Sequence, residues 1–329
     1  MTTSRNDKID SVKYWLIVLV IICHVFSQPQ FASTHWCKAV WEWTLLFIMP
    51  LFVFISGYFS RKKDNKHFIT SCWKNIEPLV LSQIVIRCFE YVTMGTFSLR
   101  NIFTPWWVLW YLLSLFYWRF LLQIIPNKIL NNTKLIIIST FVISLGAGFL
   151  PFDRFLSLQR TFAFMPFFFL GYSFRGKNLF IDVKYRKWCL LFLFATMILP
   201  LFFSQYLGDL NHADPYSSPI KVCSRLFVFG LSIPMSIAFM NICPNTPWIA
   251  KQGRLSMQYY IYHAFIIYFF MMAVSNFSMP TNFYFVVLYS IVITISIGLL
   301  SYFPYFDKLT NPSSIIRKDN TPITPDKNG

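Results

Sequence analysis

Apolar runs separated by short polar and basic segments organise the whole chain. Runs of spanning length lie at 13–28, 39–60, 76–94, 105–125, 135–152, 160–174, 188–207, 220–242, 257–275 and 282–303. A helix that crosses the hydrocarbon core needs about 20 predominantly apolar residues. The pattern therefore predicts an all-α, polytopic integral membrane protein with about ten transmembrane helices. An even number of spans puts both termini on the same side.

Positive charge decides which side. Of the 29 lysines and arginines, 21 fall at the N-terminus, in the 61–75, 126–134, 175–187 and 243–256 loops, and in the C-terminal tail. The alternate loops hold only Lys38, Arg100, Arg154, Arg160 and Lys221, and three arginines (Arg87, Arg119, Arg225) lie within runs. Short loops rich in Lys and Arg stay in the cytoplasm, so both termini are expected there. Residues 1–305 read as one helical membrane domain. Residues 306–329 read as a polar, Pro-containing cytoplasmic tail, expected to be disordered.

Composition agrees. The chain is 56% hydrophobic and only 13% charged, with a mean hydropathy of +0.51, whereas soluble domains carry roughly 25% charged residues. The net charge of +16 sits in clusters between apolar runs. That placement suits loops facing anionic membrane lipid better than a nucleic-acid footprint, so no nucleic-acid partner is expected. Seven scattered cysteines show no metal-ligand or paired spacing and read as reduced packing residues, so no metal is expected. The first run lacks a small-residue cleavage site and leads into further runs, so it is expected to be retained.

Chemistry has few places to go. His24 ends the first run, and Asp10 and Lys13 fall close to the same helical face. The eleven residues from Lys13 to His24 place the imidazole about 16 Å deeper, near mid-membrane. A neutral imidazole in a dry setting is suited to take a proton from a hydroxyl. The plainer alternative is a hydrogen bond between helices. Asp10 and Lys13 read as a pair, with a surface ion pair as the plain alternative. Arg87 and Glu90, three apart, read as an intrahelical pair. Glu77–Pro78 reads as the cytoplasmic start of the third span. Arg160 opens the sixth span from the outer side, and His263 is a second intramembrane histidine. His35, His67 and His212 lie in loops and carry no signal. "PWWVLWYLL", from Pro105, reads as an interfacial aromatic belt or as a platform for a sugar ring. The residues alone are compatible with a transporter or with an enzyme.

The order of these segments resembles the membrane acyltransferase-3 family. "NDKIDSVKYWLIVLVIICHV" is similar to that family's opening, a basic residue followed after ten residues by His. "FIMPLFVFISGYFSRK" resembles its second span and "WKNIEPLV" the approach to its third. "PWWVLWYLLSLFYWR" and "FMPFFFLGYSFR" resemble the branch of fucose 4-O-acetylase-like sugar O-acetyltransferases, and "YYIYHAFII" its late span. The resemblance covers about residues 5–305. The family's usual arginine is Lys13 here, and its paired-arginine motif is matched only in part by Arg61 and Lys74.

The resemblance implies transfer of an acetyl group from cytoplasmic acetyl-CoA to a sugar hydroxyl of a surface polysaccharide or lipid-linked glycan precursor, in the inner (plasma) membrane. His24 would then be the catalytic base or a transient acyl carrier, with Lys13 and Asp10 ordering the cytoplasmic helix end. Arg61, Lys62 and Lys74 would contact the donor, and Arg160, Trp110 and His263 the acceptor. Acetyl-CoA is a substrate in this reading, and no bound cofactor is expected. The competing class is a glycan or small-molecule transporter, in which His24 relays protons.

Overall fold

The computed structural model describes residues 6–32, 35–95, 102–152, 154–207 and 210–303, and these are helical with no strand. The helices are α1 (Asp7–Phe26), α2 (Pro29–Ala32), α3 (His35–Leu45), α4 (Ile48–Phe59), α5 (Asn65–Met94), α6 (Trp110–Ile124), α7 (Asn127–Leu130) and α8 (Thr133–Ala147). They continue with α9 (Leu158–Ser173), α10 (Arg186–Thr196), α11 (Ile198–Leu207), α12 (Lys221–Ile242), α13 (Pro247–Arg254), α14 (Ser256–Asn276) and α15 (Phe283–Leu300). Six helical stretches are long and apolar enough to cross a membrane: Asp7–Phe26, His35–Phe59, Val183–Ser204, Lys221–Ile242, Ser256–Asn276 and Phe283–Leu300. The polar tail lies outside the described residues.

Local chemistry explains the breaks. The second apolar run divides into α3 and α4 because Pro50 has no N–H to offer the carbonyl of Leu46, four residues back. That carbonyl instead accepts a hydrogen bond from the Ser232 hydroxyl of α12. A backbone group freed by proline is thus satisfied by a neighbouring helix, as a bilayer interior demands. The third run begins differently from its sequence reading. Glu77–Pro78 does not open a helix; α5 starts at Asn65 and carries Pro78 inside it.

Two helices form the centre. In α1, Leu16, Ile17, Ile21 and Val25 have no exposed surface. In α9, every residue from Ala163 to Phe169 is buried, and a helix apolar all round belongs inside a bundle. The α4–α9 contact is a backbone contact. A Cβ on Gly57 would lie 1.9 Å from the Phe168 carbonyl oxygen, and one on Gly171 would lie 2.0 Å from that of Phe54. Lipid tails are as apolar as leucine, so close packing of small residues replaces the hydrophobic effect as the reason helices associate.

The connecting segments gather at two poles. At one, Lys62 Nζ donates to the Ile125 carbonyl (2.6 Å), Tyr58 to the Lys177 carbonyl (3.1 Å), Arg186 to the Ile242 carbonyl (2.9 Å) and Arg254 to Asp7 (2.8 Å). At the other, Gln30 donates to Ser275 (3.1 Å), the Tyr216 amide to the Gly148 carbonyl (2.7 Å) and Arg160 to the Asn211 carbonyl (3.2 Å). The first pole unites the segments whose charge predicts a cytoplasmic position. The second unites those that predict the outer face.

Candidate active site

At the basic pole α1 starts on an Asn6 cap, whose side chain accepts from the amides of Lys8 and Ile9. Asp10 is 3% exposed, and its Oδ1 lies 2.5 Å from Lys13 Nζ. Arg254 completes the cluster, with its Nε 3.8 Å from Asp10 Oδ2 and its Nη2 2.8 Å from Asp7. This is possible because Gly253 rests on α1: a Cβ there would lie 1.8 Å from the Asp10 carbonyl oxygen. A buried carboxylate shared by two cations is compensated. It also fixes the end of α1 against α13.

His24 sits at the other end of α1, where its carbonyl accepts from Ser27 Oγ (3.0 Å) and Gln28 Nε2 (2.8 Å). Its ring lines a cavity of about 260 Å³ walled also by Trp41, Trp107, Trp110, Arg160 and Asp214. Two rings hold the imidazole. Trp107 meets it edge-on at 4.7 Å between centroids, and His263 stacks on it at 5.3 Å with planes 19° apart. His263 is wholly buried on α14, with Nδ1 3.0 Å from the Tyr259 carbonyl. A carbonyl only accepts, so Nδ1 carries the proton and Nε2 keeps its lone pair. Among the described residues that Nε2 has no hydrogen-bond partner.

Arg160 enters from the first turn of α9. Its guanidinium lies 5.1 Å above the Trp110 ring, which also stacks on Phe164 at 5.4 Å. Trp110 is thus packed against two side chains of α9. Trp110 and the arginine packed against it both line the cavity. The 210–214 loop closes this side. His212, without signal in the sequence, is 3% exposed with φ +49°, wedged against Phe164 and Phe229 at 5.3 and 5.4 Å. Burial, followed by the charges of Arg225 and Arg160, pushes its imidazole well below the usual histidine range.

His24, Trp110, Arg160 and, behind His24, His263 therefore converge on one site. Asp10 and Lys13 do not join it. Ile17, on the same stripe of α1 between Lys13 and His24, has no exposed surface, so a water-filled stripe along α1 is not what the packing shows. Arg61 is exposed at the basic pole, Lys62 is tied to α6 through Ile125, and the side chain of Lys74 lies outside the described residues. The sequence reading took Trp107 only as part of the aromatic segment after Pro105 and did not pair it with His24. It also passed over His212, whose burial depends on contacts distant in the chain.

Six helical stretches able to cross a bilayer, with no strand among the described residues, define a helical membrane protein. The chain belongs to the acyltransferase-3 family, whose profile, described as an acyltransferase domain, matches residues 6–302. It is on that ground a membrane acyltransferase in the general sense. No curated protein and no solved structure matches it.

Proposed function

We propose that this protein moves an acetyl group from cytoplasmic acetyl-CoA to a sugar hydroxyl of a surface polysaccharide or lipid-linked glycan precursor. The observation that carries the reading is His24, its ring held by Trp107 and His263 and facing a cavity at the pole that the charge pattern assigns to the outer face. The family supplies acyl transfer; this geometry supplies a base beside a space for an acceptor. The gathering of alternate loops at two poles supports ten crossings with both termini in the cytoplasm, in the inner (plasma) membrane.

In this mechanism an acceptor hydroxyl in the cavity gives its proton to a ring nitrogen of His24. Its oxygen bonds to the acetyl carbonyl carbon, the carbon–sulfur bond of the thioester breaks, and the departing thiolate takes the proton from the imidazolium. The products are an O-acetyl sugar and free coenzyme A. Arg61, Lys62 and Lys74 attract the donor's phosphates at the basic pole. Lys13 and Asp10 order the end of α1, while Arg160 and Trp110 orient the acceptor. For the thioester to reach His24, the thin arm of the donor must part the helices that close around Ile17.

The test is acetyl transfer by purified protein with acetyl-CoA and glycan acceptors. His24→Ala and His24→Gln should insert and fold, and both should lose about 10²–10⁴-fold in rate, the range that general base catalysis contributes. An active Gln variant would reduce His24 to a hydrogen-bonding residue. Glycan transport by wild-type protein without acetyl transfer would favour a transporter instead.

A further inference from the structure

A second cavity, of about 200 Å³, adjoins the His24 cavity and shares Trp107, Arg154, Arg160 and Ala213 with it. We infer that this annex seats an anionic group of the acceptor, a phosphate or a carboxylate, while the hydroxyl to be acylated lies beside His24. The inference rests on reading the His24 cavity as the acceptor's.

Three guanidiniums line the annex: Arg87, Arg154 and Arg160. They come from three different places in the chain, α5, the 148–157 connection and α9. The outer-face segments are poor in positive charge, holding five Lys and Arg between them, and Arg154 and Arg160 are two of these. Convergence of this scarce charge on one small space is not what topology requires, since retention of loops in the cytoplasm asks for cations at the other pole. Planar, multidentate guanidinium donors are the groups that recognise phosphate and carboxylate oxygens.

The wall is also built rather than incidental. Arg87 is held in place, Nη1 on Glu90 (2.6 Å) and Nη2 on the Thr104 carbonyl (3.1 Å). Its buried Nε has no hydrogen-bond partner among the described residues. Gln83 pins the same segment, donating to the Thr104 carbonyl (3.0 Å) and accepting from the Trp106 amide (2.8 Å). Arg154 lies 3.6 Å from Asp214, both more than half exposed, so this pair is open to exchange for a ligand. Backbone strain collects here too. Trp107 (φ +36°) and Ser157 (φ +55°) line the annex, and Leu156 (φ +49°) precedes the latter. Non-glycine residues in this region are strained and concentrate at ligand clamps.

The experiment uses the full chain in lipid nanodiscs, with the seven native cysteines replaced and a single cysteine at Ala213, or in a second variant at Thr104. An anionic sulfonatoethyl thiosulfonate should react about 10-fold faster than a cationic trimethylammonium one, after correction for intrinsic reactivity, as expected for a cleft that focuses positive potential. Adding Arg154→Gln should lower that ratio severalfold. Glucose 1-phosphate or glucuronate should slow the reaction and methyl glucoside should not. Protection by the first alone identifies a phosphate, and protection by the second alone a carboxylate. The unaltered chain supplies a second measurement, thermal stabilisation by the charged sugars and not by the neutral one. Equal rates for the two reagents, or equal protection by methyl glucoside, would overturn the inference. Charge selectivity in the single-cysteine variants, together with no acetyl transfer by the wild-type protein, would overturn the catalytic reading and leave the annex standing. Transfer without charge selectivity would do the reverse.

Discussion

His212 shows what one side chain can hide. Held neutral by burial and by two nearby arginines, it has a proton affinity well below its ordinary value near 6.5. Below that value the unfolded chain takes up a proton that the folded chain refuses. Its contribution to stability is therefore fully present above about pH 6.5 and lost as the pH falls. Thermal unfolding between pH 7 and pH 5 should show a steeper fall for wild type than for His212→Phe, which keeps the aromatic contacts with Phe164 and Phe229. Parallel curves would show that His212 is not held neutral. In the sequence this residue is a histidine in a polar connection, indistinguishable from His35 or His67. His24, by contrast, was legible because an ionisable group inside an apolar run stands out against its surroundings. Legibility at this scale followed local contrast. What a side chain meets across the fold, as with Trp107 against His24, left no local trace.

Helices were legible wherever the apolar pattern was long, and each of the ten expected runs coincides with a helix or a pair of helices. Their interruptions and starts were less so. The break before α4 required knowing that Ser232 was at hand to occupy the Leu46 carbonyl. The early start of α5 lay in a polar stretch that hydropathy assigns to a loop. Helix contacts yield a direct prediction. Gly57→Ala and Gly171→Ala should each destabilise the protein by at least the roughly 1–3 kcal/mol typical of overpacking, because backbone atoms stand where the methyl must go. Gly146→Ala and Gly230→Ala meet nothing within 4 Å and should be neutral or slightly stabilising. Thermal midpoints of the four variants in one detergent would show whether α4 and α9 are joined in this way. Equal effects from all four would deny it.

At the scale of the whole molecule, the two poles make sidedness testable. Ser217 is exposed beside Tyr216, whose amide bonds the Gly148 carbonyl at the second pole, and Lys184 is exposed at the basic pole. In a background without native cysteines, an impermeant thiol reagent applied to intact cells should modify Ser217→Cys at once and Lys184→Cys only after lysis. The opposite pattern would invert the topology, and with it the assignment of donor and acceptor sides. The packed layer around Ile17 then has a physiological meaning. A membrane that stores energy as an ion gradient tolerates no continuous water file, and a protein open to both compartments is one seal away from being a leak. With Leu16, Ile17 and Ile21 closed between the Asp10 cluster and the His24 cavity, the acyl group passed on under the proposed function would cross without a current. The insulation resides in the same helix that carries His24.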